Sequence, residues 1–400
     1  MKLVYSLPDK RLSDFSGILD KVRVIIENVR KNGDKAILQY EELFDGVKLS
    51  SIKVDYKTLE DSSERLPNDT KYFIDLIYNN LQNFYEAMKP KGFELNKGKS
   101  KVGLMWKAIE RIGIYVPGGR HPYPSSLLMA GIPAKVAGVK EIYVSTPPTK
   151  EGGIDPAIAY ISLKLDVREV YLMGGAQAIA AFAYGTETVK KVYKVVGPGS
   201  VYVQAAKSLV RDVVEIDGIE GPTELVVIAD DSANPRNVLN DLIAQGEHGK
   251  DTLLVLISIS ERLIDEIGKM AKDYESDNTI YIVKVNSIDE AIKLVNEIAP
   301  EHLSLNVKDA DKYLDQIENV GAVSLYDSPP ASIDYGIGPN HILPTNGWAK
   351  VRGGLTVYDF LKPVMYYGGE IDKELIKAFV ALANYEGFVI HGKSIGERSV

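Results

Sequence analysis

Residues 111–146 read RIGIYVPGGRHPYPSSLLMAGIPAKVAGVKEIYVST, and this stretch decides the fold class. A β-branched run, IGIYV, leads through a glycine turn into a helical segment around Ser126–Ala130, and then into a second run, EIYVS. Two apolar strands joined by a helix are parallel, because the helix carries the chain back to the starting end. The rhythm continues with DPAIAYISLKL, EVYLM, AQAIAAFAYG, VYKVV and VYVQAAKSLV. It restarts after Gly221 with ELVVIA, PRNVLNDLIAQGEH, TLLVLIS, SERLIDEIGKMAK, IYIVKV, SIDEAIKLVNEIA, HLSLNV and AVSLY. The expected architecture is α/β: two tandem incomplete Rossmann-like doubly wound units, residues 111–221 and 222–355.

Outward from this core the pattern changes. Residues 14–90 place apolar residues near a 3.6-residue period, so 1–110 is expected as a helical N-terminal segment packing on the second α/β unit. Residues 328–350 are rich in Pro, Gly and Asn and read as a long functional loop. Residues 356–400 hold a strand-like piece, VMYYG, and a helix, DKELIKAFVALANYEG. This small C-terminal extension is too short for a core of its own and is expected to dock elsewhere, on a second subunit.

Composition narrows the function. The 400 residues carry a formal net charge of −8, which argues against nucleic acid as a partner. The N-terminus lacks a signal-peptide pattern and no apolar run is long enough to span a bilayer, so a cytoplasmic protein without membrane partners is expected. There is no cysteine, which rules out disulfides, thiolate metal sites and a thiol nucleophile. Any aldehyde oxidation must then proceed through water.

The five histidines lead to the candidate chemistry. Gln245 and His248 lie three residues apart near a helix end, on one face. Glu301 and His302 follow Pro300 at the start of a strand, a carboxylate beside an imidazole, as general acid–base work requires. Asp334 and His341 sit on the Gly-rich loop, and Glu386 and His391 just past the last helix, which Gly387 is expected to end. A structural reading is open for each: a helix end, a half-buried histidine, a capped turn, a surface tail. Gln, His, Asp and His together would make a catalytic zinc site. Three glycine turns, Tyr115–Gly119, Gly174–Gln177 and Gly197–Ser200, stand between strand and helix, where a phosphate can approach a helix N-terminus. None is a GxGxxG fingerprint, and tight turns of an ordinary α/β sheet explain them equally well.

Taken together, GIYVPGGRHPYPSSLLMAGIPAKVAG, VYLMGGAQAIAAFAYGT, GPGSVYVQAAK, IEGPTELVVIAD, AQGEH, APEHLSL, DYGIGPNHILPT and YEGFVIH resemble the histidinol dehydrogenase family, in the family's order, from Arg111 to His391. The resemblance implies NAD and one zinc ion per subunit as cofactors. It implies Gln245, His248, Asp334 and His391 as zinc ligands and Glu301 and His302 as the catalytic pair. Substrate contacts would come from Thr223, His341, Glu386 and Ser125, along with Gln245, His248, His302, Asp334 and His391. NAD contacts would come from Tyr115, Gln177 and Ser200. Ser200 stands where the family usually has Asn, Thr223 replaces a usual Ser, and Gly246 replaces a usual Ala and is expected to loosen that helix end.

The activity implied is four-electron oxidation of L-histidinol to L-histidine through bound L-histidinaldehyde. Zinc would position the substrate, His302 would be the general base and Glu301 would activate water. The resemblance also implies a homodimer with exchanged C-terminal segments, His391 and Glu386 completing the neighbour's site. Two alternatives are a zinc hydrolase using Glu301 as base, which leaves the glycine turns idle, and a non-catalytic small-ligand-binding α/β protein.

Overall fold

Strands buried on both faces read as unbroken apolar runs, and ELVVIA (224–229) and LLVLIS (253–258) do so in this chain. The computed structural model describes residues 1–8, 16–118 and 121–398. It begins with β1 (Lys2–Val4), α1 (Ser16–Tyr40), a π-helical turn at Glu41–Asp45, β2 (Lys53–Val54), α2 (Tyr56–Glu64), α3 (Asn68–Met88) and the hairpin β3 (Phe93–Lys97) and β4 (Ser100–Ala108). The first alternating series is β5 (Arg111–Tyr115), α4 (Pro124–Ala137), β6 (Glu141–Thr146), α5 (Pro156–Lys164), β7 (Glu169–Leu172), α6 (Gly175–Tyr184), β8 (Lys194–Val196), α7 (Val201–Val210) and β9 (Glu215–Ile216). The second is β10 (Glu224–Ala229), α8 (Pro235–Gly246), β11 (Leu253–Ser258), α9 (Glu261–Met270), β12 (Thr279–Lys284), α10 (Ile288–Ile298), β13 (His302–Asn306) and β14 (Ala322–Leu325). A short α11 (Ala331–Asp334) follows, and β15 (Leu361–Gly369), α12 (Lys373–Tyr385) and α13 (Val389–Gly396) complete the described chain.

The two series build sheets of one plan. Their orders are β2-β7-β6-β5-β8-β9 and β1-β12-β11-β10-β13-β14. Within each series the strands run third, second, first, fourth, fifth, so each sheet reverses direction between its first and fourth strands. The edge strands β2 and β1 come from the N-terminal segment, β2 antiparallel on β7 and β1 parallel on β12.

Helix starts follow the local chemistry. Asp155, Asn234, Ser260 and Ser287 cap α5, α8, α9 and α10 with side-chain oxygens, and Pro156 and Pro235 take a first-turn position where no N–H is needed.

Helix α1 departs from the expected docking. On α1, Val22, Ile25, Ile26 and Val29 recur at helical spacing and share a core with Ile179, Phe182 and Val203 of α6 and α7. Helix α1 therefore packs on the first sheet, while β1 joins the second and α3 reaches the loop at 336–340 through Asn80 and Tyr85. The reason lies in the Ala-rich face of α6, AQAIAAFA, which lets a second helix approach closely.

By contacts the chain divides into two units, residues 1–88 with 109–360, and residues 89–108 with 361–400. The second unit has a three-stranded antiparallel sheet, β15-β4-β3, with Leu361 opposite Ala108 and Gly369 opposite Ser100. The tail thus pairs with the β3–β4 hairpin, a stretch assigned from sequence to the helical segment. Asp372 caps α12, which has no buried residue.

Candidate active site

The chemistry gathers at the amino ends of β10 and β13. Helix α10 stops at Ala299, whose left-handed backbone (φ 52°) turns the chain through Pro300 into β13. The register sets Leu225 opposite His302, which brings Glu224 alongside Glu301. Glu301 is 7% exposed and His302 2%. The Thr223 hydroxyl donates to Glu301 Oε2, and the Glu224 N–H donates to the same oxygen at 2.9 Å. Gln245 Nε2 donates to Thr223 Oγ1 at 2.6 Å. A hydroxyl that accepts from Gln245 has its one proton for Glu301, so the three side chains form a directed chain.

Gln245 ends α8, and His248 follows with its N–H on the Gln245 carbonyl at 3.3 Å. Gly246 between them does not loosen this end. Asn278 Nδ2 donates to the Gly246 carbonyl at 2.8 Å, and a Cβ on Gly246 would lie 2.1 Å from that nitrogen. The missing methyl group admits the bond that fixes the turn.

The 326–347 segment supplies the remaining groups. Asn340 anchors it, donating to Tyr85 Oη at 2.8 Å and to the Met129 carbonyl at 2.7 Å. His341 Nδ1 contacts the Asp334 carbonyl at 3.0 Å and its Nε2 the Ser126 hydroxyl at 3.2 Å. His302 Nε2 stands 3.8 Å from Asp334 Oδ1. His302 Nδ1 is buried with no hydrogen-bond partner among the described residues.

Burial dominates the electrostatics. It pushes His302 down to about 3 and His341 to about 4, with repulsion from neighbouring imidazoles adding to both; a backbone bond opposes the fall at His341. It also lowers His248, against the pull of Glu247, and raises Asp334 to about 7. Glu301 is driven well above the carboxylate range by burial, with Glu224 and Asp334 adding to the rise and the bonds from Thr223 and Glu224 opposing it. Neutral imidazoles beside carboxylates short of positive charge describe this cluster.

A cavity of about 870 Å³ opens onto it, lined by Ser125, Gln245, His248 and Asp334, by His121 and Tyr123, and by apolar Leu81, Leu128 and Met129. Thr223, Glu301, His302 and His341 are not among its lining residues and stand behind Gln245 and Asp334. Among the described residues no group of three or more His, Asp and Glu is placed to hold a metal ion. The metal set expected from sequence draws only His248 and Asp334 of these types from the first unit. Gln245 adds an amide. Glu386 and His391 lie in the second unit, Glu386 as the cap of α12 and His391 exposed on α13 with its ring 5.2 Å from that of Phe388.

The glycine turns lie at the carboxyl ends of the first sheet. Gly197 has φ 123°, and a Cβ there would sit 2.0 Å from the Tyr115 carbonyl oxygen. Tyr115 Oη accepts from the Gly175 N–H at 3.2 Å. Gln177, 1% exposed, donates to Glu41 Oε1 at 2.9 Å, and the Gly174 N–H reaches the same oxygen at 3.0 Å. Burial raises Glu41 to about 8. Ser200 is exposed at the start of α7, and its side chain caps nothing. Beneath that turn, buried Lys207 donates to the Gly197 carbonyl at 2.5 Å and to Asp217 at 2.6 Å. Arg352 bonds the Asp217 carbonyl and Glu220. Gly119 lies outside the described residues.

Four residues at these sites were not singled out from sequence: Glu224, Glu41, Ser126 and His121. The acid that opens the buried run ELVVIA was the one available signal, since a charge there needs partners.

A family model described as histidinol dehydrogenase matches residues 9–399. The histidinol dehydrogenase of Saccharolobus solfataricus is 55% identical over 98% of this chain and 99% of its own length. That of Sulfurisphaera tokodaii is 56% identical over 99% of each. Among solved structures, the histidinol dehydrogenase of Elizabethkingia anophelis superimposes with a TM-score of 0.91 at 30% identity, covering 100% of this chain and 98% of its own.

Proposed function

Because the chain belongs to the histidinol dehydrogenase family and is an oxidoreductase, we propose that it carries out the NAD-dependent four-electron oxidation of L-histidinol to L-histidine, the last steps of histidine biosynthesis. The observation that carries this reading is the chain Gln245–Thr223–Glu301 beside His302, which leads inward from Gln245 at the wall of the 870 Å³ cavity.

The donor set suits zinc. His248 is held towards its neutral form, the one that ligates, and Asp334 is a carboxyl group that burial leaves short of positive charge. Gln245, His248 and Asp334, with His391 of the partner subunit, would hold one zinc ion per subunit. Bound there, zinc supplies a Lewis-acidic anchor for the imidazole and amine of the substrate. NAD, when bound, accepts a hydride in each of two oxidations. Tyr115, Gln177 and Ser200 would line its place. Glu41 already takes the Gly174 N–H, so the tip of α7 at Ser200 is the better place for its negative charge.

His302 is neutral at pH 7 and accepts the alcohol proton as hydride leaves the carbinol carbon. The aldehyde stays in the site. Burial favours the protonated form of Glu301, so it acts from its minor ionised form: it takes a proton from water as the water oxygen bonds to the aldehyde carbon, and the carbonyl oxygen becomes the oxyanion of the hydrate. His302, having passed its first proton to solvent, accepts a second as the hydrate loses its hydride and becomes the carboxylate. Thr223, His341 and Ser125, with Glu386 of the partner subunit, would orient the substrate. With no cysteine in the chain, water is the available nucleophile.

A homodimer with exchanged C-terminal segments accounts for the second unit. Leu375, Leu382, Phe388, Val389 and Ile390 of α12, α13 and their junction are exposed, an apolar surface in want of a partner. No helix of the described residues is long and apolar enough to cross a membrane, in keeping with a cytoplasmic place.

The test is the count of NADH formed per L-histidinol consumed, with and without a chelator. Two NADH, lost on chelation and restored by zinc, is the expected result. One NADH would remove Glu301 from its role. None from the zinc-loaded dimer would reject dehydrogenation.

A further inference from the structure

We propose that Glu224 is a positioning residue for Glu301, fixing the carboxylate that activates water; this rests on the reading of Glu301 as that base. The two acids hold each other reciprocally. The Glu224 N–H donates to Glu301 Oε2 at 2.9 Å, and the Glu301 N–H donates to Glu224 Oε2 at 3.1 Å. The other oxygen of Glu224 accepts from the Asn346 N–H at 3.0 Å. Both oxygens are thus spent on backbone, in a side chain that is only 2% exposed.

The arrangement fixes Glu301 from both sides of its peptide. Its carbonyl accepts the Ala322 N–H at 2.9 Å, and Gly321 packs so closely that a Cβ there would lie 2.5 Å from that carbonyl oxygen. Glu224 secures the N–H side. It also ties in the segment that carries His341, because Asn346 follows Thr345, whose hydroxyl accepts the Gly221 N–H at 2.5 Å. One carboxylate therefore joins the mouths of β10 and β13 to the loop that carries the substrate-side histidine. Burying a carboxylate is costly, and a strand end can be held by neutral groups at less cost. What Glu224 adds is a fixed address for Glu301. Without it, Glu301 keeps its chemistry and loses its aim at the attacking water.

This predicts an effect on one step. Glu224→Ala and Glu224→Gln are made in the full-length, zinc-loaded enzyme. Oxidation of L-histidinol and of L-histidinaldehyde is followed separately at saturating NAD, and zinc content is measured alongside. In Glu224→Ala, kcat for the aldehyde step should fall ~10- to 100-fold, while the alcohol step changes by less than ~3-fold and zinc stays bound. In Glu224→Gln, whose amide oxygen can serve one of the two N–H groups, the selective loss should shrink to ~5-fold. Equal losses in both steps, or no selective loss in the Gln variant, overturn the proposal. If Glu224→Ala does not fold, the Gln variant decides alone. Glu301→Gln separates the two layers. If it spares the aldehyde step, the base reading itself falls; if it blocks that step while the Glu224 variants do not, only the positioning role falls.

Discussion

The two sheets share one strand order and offer opposite edges to chemistry. The first presents the carboxyl ends of β5, β7 and β8, where Tyr115, Gly174 and Gly197 meet the starts of α6 and α7. The second presents the amino ends of β10 and β13, where Thr223, Glu301 and His302 meet the finish of α8. Helix starts carry partial positive charge and exposed N–H groups, which suit phosphates. Helix ends carry partial negative charge, which suits a metal cation and the ammonium group of an amino alcohol. One fold plan, read from its two edges, thus provides two different electrostatic environments, as the proposed metal-assisted dehydrogenation would require. Doubly wound sheets usually bind ligands at the carboxyl ends of their strands, the edge that the first sheet's glycine turns occupy. At that edge the second has Asp230, Asp231 and Asp327 instead, with Asp241 raised to about 7 by burial and by Asp327.

That division can be broken by experiment. His302→Asn should cut both half-reactions by ~10²–10⁴ while NAD affinity, measured by fluorescence titration, stays unchanged. A matching loss of NAD affinity would show that the edges are not separate. Chelation should weaken histidinol binding by ~100-fold or more and leave NAD binding intact, as calorimetry of the metal-free dimer can show.

Lys207→Met tests the opposite edge. It leaves Asp217 buried without its cation and Glu220 with Arg352 alone, at a cost of about 3–5 kcal/mol in urea unfolding. It also frees the Gly197 turn, so KM for NAD should rise while KM for histidinol changes little. The smallest effect is a pH dependence. Glu41 is raised to about 8 from an ordinary 4.5, so its contribution to stability is present below pH 4.5 and is lost as pH climbs through 8. Glu41→Gln keeps an acceptor for Gly174 and Gln177 without that loss. Its Tm should exceed the parent's by about 1–3 °C at pH 9, and the gap should close towards pH 5. A constant gap would assign the rise to packing.

Much of this was legible in sequence, for a physical reason. Strands covered on both faces are continuous apolar runs, and helices between them fix their parallel sense, so both series could be read from residues 111–325. The edge strands β1 and β2 could not, since three and two residues carry no period. The β15-β4-β3 sheet was hidden because β15 lies far along the chain from the β3–β4 hairpin and β3 buries no residue. At the site, histidines are few enough to draw the eye. Glu224 is one acid among 55 Asp and Glu, and only the register of β10 on β13 reveals its partner. Ser126 and Ser125 are neighbours of one type at a helix start, and which of them meets His341 depends on the turn of α4 against a loop two hundred residues away.

Strand β1 has a consequence for the order of assembly. Lys2 pairs with Thr279, so β1 is synthesised long before the strand it lies beside. At ~5–20 residues per second the N-terminus waits roughly 15–55 s for β12. Until then β1 lacks the neighbour it pairs with and is a strand open to other partners. Helix α1 can meanwhile settle on the first sheet, whose strands are complete by Ile216, so the two sheets close at different times and the second draws its edge strand from far upstream.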